Sequence, residues 1–296
     1  MRQIQISTQK TVVTIGNFDG LHTGHIQLIK KAKEIAEGNN LKSLVCNFSC
    51  NTKGAPLICK KSQLKESLRK LNPDFLVTLD FLSEIKGLSC NEFAKAYLKK
   101  RFQAQVVVVG ENFRFGKDQS GDFKTLQKLG EKYGFSVVVA KTVYAGNLPL
   151  SSTRIRQWLQ NGKIELANRY LFESFTLAGT VQKGYSAGSS LLSYPTANLK
   201  LPKDVISLPF GVYQTTTVID KKEYSSITNI GYAPTLRKKT PVVETHILNF
   251  SGDLYQKRIK VIFHKYIRKE RKFSSFEGLK EQISIDLSKC DFETVN

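Results

Sequence analysis

Thr11-Val12-Val13-Thr14-Ile15-Gly16-Asn17-Phe18-Asp19-Gly20-Leu21-His22-Thr23-Gly24-His25 is the stretch on which the fold turns. Val12, Val13 and Ile15 read as a buried strand, three glycines let the chain turn with its backbone close to a ligand, and an amphipathic helix follows from about His25 to Ala36. The N–H groups that a helix leaves unpaired at its start favour an anion there. His22 and His25, three residues apart, lie near that start and are expected to donate hydrogen bonds to phosphate oxygens as charge builds in a transition state. The stretch therefore reads as a nucleotide-phosphate site.

Outward from it, apolar runs at Val12 to Ile15, Ser43 to Cys46, Phe75 to Leu79, Val106 to Val109 and Ser136 to Val139 alternate with helical patterns. One of these, Asn91 to Lys100, has Ser89 and Glu92 placed to open it as a capping box. The first half is expected to be a doubly wound parallel sheet with helices on both faces, its ligand at the carboxyl ends of the strands. From about Thr176 the pattern turns β-rich: Thr176 to Val181, Gly211 to Ile219, Tyr224 to Asn229, Val242 to Phe250 and Arg258 to Tyr266. Asp220-Lys221 and Ser251-Gly252-Asp253 look like hairpin turns, so this half is expected to be an antiparallel barrel, closed off by an amphipathic helix over Phe276 to Ser288. Helical residues Arg154 to Leu171 are assigned to the first half, and the boundary is set near Phe172 to Phe175, giving domains 1–173 and 174–296.

Composition narrows the class. In 296 residues no apolar run approaches the roughly 20 needed to cross a bilayer, and Met1 to Lys10 lack the apolar core of a secretory signal, so no membrane is expected and the cytoplasm is. The five cysteines form no Cys-x-x-Cys pair and read as reduced thiols, with no zinc-ligand spacing. A net charge of +20 invites a nucleic-acid reading, yet the basic residues are scattered, with short clusters at Lys99-Lys100-Arg101, Arg237-Lys238-Lys239 and Arg268 to Lys272. No nucleic-acid partner is expected; a basic surface drawing anionic nucleotides accounts for the charge. Oligomeric state is not readable.

Further motifs carry chemistry. His22-Thr23-Gly24-His25 resembles the His-x-Gly-His element of nucleotidylyltransferases, in which a nucleoside triphosphate is attacked at its α-phosphorus and pyrophosphate leaves. Ser152 and Thr153 at a helix start offer hydroxyls and N–H groups, with Arg156 one turn on and able to reach the same phosphates; alone, the segment reads as an ordinary N-cap with a surface arginine. Thr196 and Asn198, two apart on an extended segment, point the same way and offer two oxygens suited to Mg²⁺. Glu244 and His246 likewise share a strand face.

Over nearly its whole length the chain resembles the bacterial bifunctional riboflavin kinase/FAD synthetases. Val109 to Gly116, followed by Ser120-Gly121-Asp122, is similar to that family's flavin-site loop, and Ser151 to Arg156 to its second nucleotide-binding motif. Tyr194-Pro195-Thr196-Ala197-Asn198 resembles the Pro-Thr-Ala-Asn motif of riboflavin kinases, and Asn229 to Thr235 and Arg268 to Phe273 are further family-like stretches, whose plain reading is a strand and turn and a solvated basic face. The resemblance implies catalytic His22, His25 and Glu244, the last as the base taking a proton from the ribityl hydroxyl. It implies ATP or phosphate contacts at Gly16, Phe18, Asp19, Gly24, Ser152, Thr153 and Arg156, flavin contacts at Asn112, Phe113 and Phe115, and Mg²⁺ at Thr196 and Asn198. ATP, FMN and riboflavin are the implied substrates.

Two departures bear on activity. Where the family carries Phe-x-Pro-His-Pro after the second strand, this chain has Asn47-Phe48-Ser49-Cys50-Asn51. The kinase loop Gly184 to Tyr194 is one residue longer than the family pattern between Gly188 and Pro195, lacks its arginine and has Ser193 at its last glycine, which points to a weak kinase. The expected function is FAD biosynthesis by both activities. The alternatives are a monofunctional FAD synthetase with a kinase-inactive barrel, and a regulatory flavin- or nucleic-acid-binding protein on the same scaffold.

Overall fold

A computed structural model describes residues 9–49, 55–182, 196–232, 241–271, 273, 275–290 and 292, which fall into two compact units, Met1–Arg154 and Ile155–Asn296. The first is built on a five-stranded parallel sheet of β1 (Thr11–Gly16), β2 (Lys42–Phe48), β3 (Phe75–Leu79), β4 (Ala104–Gly110) and β5 (Ser136–Ala140), in the order β3-β2-β1-β4-β5. Helices cover both faces, which is why the central strands read as unbroken apolar runs rather than alternating ones. On one face α1 (Thr23–Gly38) buries Ala32 and Ala36 against Val12 and Val108. On the other, α3 (Cys90–Phe93), its π-helical continuation Ala94–Arg101 and α4 (Phe123–Tyr133) close a core of Val13, Ile15, Leu44, Val107, Phe93, Leu98, Phe102 and Leu126. α2 (Lys61–Lys70) lies between β2 and β3.

Local chemistry sets several boundaries. Ser89 and Glu92 form the expected capping box, Ser89 Oγ accepting the Glu92 N–H while Glu92 accepts the Ser89 N–H at 2.8 Å. The helix they start passes into a π-helical turn, marked by the Phe102 N–H reaching back five residues to the Tyr97 carbonyl at 2.8 Å. After β5 a short hairpin, β6 (Tyr144–Ala145) with β7 (Leu148–Pro149), precedes α5 (Ser152–Gln160) and α6 (Ile164–Tyr170). Arg154 to Leu171 is thus two helices rather than one stretch, because Gly162 takes φ +71°, a turn any side chain would resist.

The second unit contains a six-stranded antiparallel sheet in the order β8-β13-β10-β11-β12-β9: β8 (Thr176–Thr180), β9 (Thr196–Lys200), β10 (Gly211–Ile219), β11 (Lys222–Tyr232), β12 (Pro241–Ile247) and β13 (Arg258–Arg268). An isolated bridge from Gln182 to Asn198, with the Gln182 N–H 2.9 Å from the Asn198 carbonyl, brings the end strands together into a nearly closed barrel. Asp220 and Lys221 both have positive φ, 50° and 70°, and make the expected two-residue hairpin between β10 and β11. Ser251-Gly252-Asp253 is not a hairpin: β12 pairs with β11 and β9, and β13 with β10 and β8. Inward-facing Thr215, Thr217, Ser226, Thr228 and Thr245 are fully buried, and their hydroxyls hydrogen-bond to one another at 2.8 to 3.0 Å.

Helix α7 (Phe276–Ser288) is fastened to β13 by a buried ion pair. Arg268 Nε lies 2.9 Å from each Asp286 carboxylate oxygen and its Nη2 2.7 Å from one of them. Arg268 therefore belongs to the interior of this unit, a correction to its reading as part of a solvated basic face; Lys269, Glu270 and Arg271 beyond it are exposed.

Candidate functional site

In the first unit the sheet order reverses between β1 and β4, so the chain leaves these neighbouring strands in opposite directions and opens a crevice at their carboxyl ends. The histidine turn leaves β1 and the Gly110 to Gly116 loop leaves β4. Gly20 (φ 74°) and Leu21 (φ 35°) bend the chain, and Leu21 donates its N–H to the Phe18 carbonyl at 2.8 Å. His22 then stands at the start of α1 without capping it with its ring, and no acidic residue stands in the first turn. The positive end of such a helix favours an anion.

The two imidazoles stack, ring centroids 3.7 Å apart and 22° from parallel. A side chain at Gly24 would come within 3.2 Å of the His22 ring, so the close stacking depends on that glycine. Phe18 meets His25 edge-on at 5.3 Å, and the buried His25 Nδ1 has no hydrogen-bond partner among the described residues. Burial, with the adjacent His22 adding to it, holds the His25 imidazole well below the ordinary histidine range. In the ligand-free protein His25 is thus a neutral ring with one N–H to give, and an incoming polyanion favours its protonation.

The turn is held from three sides. Phe18 donates its N–H to Asn47 Oδ1 at 3.2 Å, the Asp19 carboxylate accepts the Ile58 N–H at 3.0 and 3.2 Å, and Ser152 Oγ donates to the Asp19 carbonyl at 3.0 Å. Asp19 is 1% exposed and spends its carboxylate inside the protein. Ser152 joins the start of α5 to the histidine turn, while Ser151 Oγ accepts the Arg154 N–H. Thr153 is exposed in the first turn of α5, and Arg156 is buried in the second unit.

In the β4 loop Asn112 is exposed, whereas Phe113 and Phe115 stack with centroids 5.5 Å apart. Phe115 belongs to the core, packing on Phe93 at 6.0 Å, and its N–H and carbonyl both pair with Gly121 at 3.0 Å. Glu111 fastens the loop to the segment after β5 by accepting from the Thr142 N–H at 3.0 Å and from the Thr142 hydroxyl.

In the second unit register brings the expected residues together. Glu244 on β12 lies opposite Asn198 on β9 and Asn229 on β11, and His246 opposite Thr196. Directly opposed residues of antiparallel strands share a face, so all five are on the outer side of the barrel. Burial raises the Glu244 carboxyl above the usual carboxylate range and lowers His246 to about 4. Asn229 also donates to Glu270 at 3.4 Å. The oxygens of Thr196 and Asn198 are hard donors of the kind Mg²⁺ takes. Among the described residues no group of three or more His, Cys, Asp and Glu side chains stands together as a metal site. Gly184 to Tyr194 and Arg237 to Lys239 lie outside the described residues, as do Cys50 and Asn51 of the departure after β2.

A family model for FAD synthetase matches residues 4–154, and one for riboflavin kinase matches residues 171–292. The bifunctional riboflavin kinase/FMN adenylyltransferase of Escherichia coli strain K12 is 34% identical over 292 residues, covering 95% of this chain and 92% of that protein. Its counterpart in Buchnera aphidicola subsp. Schizaphis graminum is 34% identical over 288 residues, covering 94% and 92%, and that of Bacillus subtilis strain 168 is 32% identical over 289, covering 94% and 90%. A crystal structure described as a macrolide-efflux protein from Streptococcus pneumoniae superposes with a TM-score of 0.88 at 27% identity, covering 97% of this chain and 96% of that one. Among the described residues no helix is long and apolar enough to cross a membrane, and the efflux designation stays with that protein.

Proposed function

This chain belongs to the bifunctional riboflavin kinase/FMN adenylyltransferase family, and from that premise we propose which of its residues carry the two reactions. It is an enzyme of FAD biosynthesis with an FAD synthetase domain, which joins FMN to the adenylyl group of ATP, and a riboflavin kinase domain, which phosphorylates riboflavin.

In the adenylyltransferase the ATP phosphates sit at the starts of α1 and α5, against Gly16, Phe18, Gly24, Ser152 and Thr153, and Arg156, one turn into α5, is the remaining phosphate contact that the family resemblance implies. Asp19 contributes through the backbone that it anchors. An FMN phosphate oxygen attacks the α-phosphorus; the new P–O bond forms as the bond to pyrophosphate breaks, and His22 and His25 donate to the oxygens that gain charge. The flavin lies by the β4 loop, with Asn112 and Phe113 facing it and Phe115 supporting Phe113 from the core. The observation that carries this reading is the stacked, partly buried histidine pair at the start of α1.

In the kinase Glu244 takes the proton of the ribityl hydroxyl as that oxygen attacks the γ-phosphorus of ATP and ADP leaves. Its raised pKa brings a carboxylate closer to the strength a base at neutral pH requires. Thr196 and Asn198 would hold Mg²⁺, which supplies charge neutralisation on the transferring phosphates. The division at residues 173/174, residence in the cytoplasm, and small-molecule partners without nucleic acid are parts of the same proposal.

The test is product analysis after incubation with ATP, Mg²⁺ and either FMN or riboflavin. His25→Ala is expected to lower FAD formation on the order of a hundredfold or more while FMN formation continues. Glu244→Gln is expected to lower FMN formation by about 10²- to 10⁴-fold while FAD is still made from supplied FMN. Full FAD formation by the first variant, or full FMN formation by the second, removes that residue from the mechanism.

A further inference from the structure

We propose that Asn47 is a positioning residue for adenylyl transfer, its side-chain carbonyl setting the place of Phe18 and, through the Phe18 ring, the place of His25. The inference rests on the reading of His25 as the donor to the reacting phosphates and adds a residue to it. Asn47 stands at the end of β2, opposite Gly16 in the parallel register, and is 6% exposed. It thus flanks the point where the chain leaves β1 for the histidine turn. Its Oδ1 accepts the Phe18 N–H at 3.2 Å; Phe18 is fully buried, and its ring meets His25 edge-on at 86°. His25 in turn lies against His22.

A buried backbone N–H needs an acceptor, and here the acceptor comes from a different strand, 29 residues along the chain. Without it, residues 17–18 have reason to turn outward for water, and the aromatic edge that sets the His25 ring moves with them. Catalysis by pre-aimed donors is sensitive to such displacement, with about 1 Å of misplacement costing on the order of a hundredfold.

The experiment uses the full-length protein with Asn47→Leu, which keeps the branched side-chain shape and removes the acceptor, Asn47→Asp, which keeps the acceptor, and His25→Ala as the reference. FMN adenylylation is followed for kcat and for KM of ATP, and the His25 ring is titrated by NMR without nucleotide. Asn47→Leu is expected to lower kcat by roughly ten- to a hundredfold with KM changed less than about threefold, and to raise the His25 midpoint as the ring loses its enclosure. Asn47→Asp, judged on kcat because its own charge moves the titration, is expected to return to within about threefold of wild type. Should Asn47→Leu not fold, Asn47→Ala carries the same expectation. A variant without the acceptor that melts earlier but keeps wild-type kcat and an unmoved His25 midpoint overturns the proposal. Full turnover by His25→Ala overturns instead the site reading on which it stands.

Discussion

Replacing Asp286 by Ala is expected to destabilise the barrel unit by about 3 kcal/mol. The Asp286 carboxylate is 1% exposed and accepts from Arg268 Nε at 2.9 Å, from Nη2 at 2.7 Å and from Gln282 Nε2 at 2.9 Å. Breaking a buried pair from one side costs roughly 3–5 kcal/mol, most of it for the charge left behind. Here that charge is Arg268, whose side chain is 13% exposed, lies 5.8 Å from the Phe273 ring centroid and keeps a bond to the Lys269 carbonyl at 3.0 Å. Partial rehydration places the cost at the lower end. Trp158, the chain's one tryptophan, lies in this unit, so its fluorescence reports the relevant unfolding. About 3 kcal/mol corresponds to a fall in Tm of roughly 10 °C for a unit of this size. The double variant Arg268→Met with Asp286→Leu, which leaves no buried charge, is expected to recover most of the loss. A single-variant cost below about 1 kcal/mol, the range of exposed pairs, would refute the view that this contact secures α7.

Two further outcomes concern titration. His246, lowered to about 4 by burial, binds its proton more readily when unfolded, so its contribution to stability is present above about 6.5 and is lost as pH falls from there towards 4. The full effect is up to roughly 3 kcal/mol, and Glu244, raised by burial, opposes it by binding its proton more readily when folded. Urea midpoints of wild type and His246→Gln should therefore converge as pH drops; a constant difference from pH 7 to pH 5 would show that His246 is not held neutral. In the first unit, the NMR midpoint of His25 should lie well below 6.5 in the free protein and rise with a non-hydrolysable ATP analogue, and a midpoint that ignores the analogue argues against phosphate contact.

Much of this architecture is legible in local sequence, and the exceptions have identifiable causes. Glycines and a histidine pair directly after an apolar run describe a strand, a turn and a helix start in one continuous segment, and Asp220-Lys221 announces its hairpin as a polar pair between two apolar runs, with Asp220 of a type enriched at positive φ. Ser251-Gly252-Asp253 has equally good turn chemistry but joins strands that do not pair, since strand neighbours in a barrel are chosen by long-range packing. The π-helical turn at Ala94–Arg101 leaves no mark on apolar periodicity. The break between α5 and α6 was readable in Asn161-Gly162 and is missed only by following the helical pattern through it. Residue roles are harder: Phe115 in a flavin-like loop and Phe115 in the core look alike as letters, and Arg268 in a basic run hides a partner 18 residues away. Asn47 and the Asp19 carboxylate carry no signal of their own, because each is defined by a backbone N–H that only the fold brings near.

The hydroxyls inside the barrel are a directed graph rather than a set of equivalent contacts. Among the bonds they make, Thr217 can give its proton only to Ser226, and Thr245 only to Thr228. Ser226 and Thr228, having accepted, must both give to Thr215, whose own proton then goes to the Ser226 carbonyl at 3.1 Å. Each of the five protons finds one acceptor, and no other assignment within these bonds does so. Thr215 is the sink at which two converging branches end, while Thr217 and Thr245 are sources. Polarity has therefore given this interior an orientation that a hydrocarbon core lacks, and the five positions differ in rank: a source can be lost without stranding any other proton, but the loss of the sink strands two.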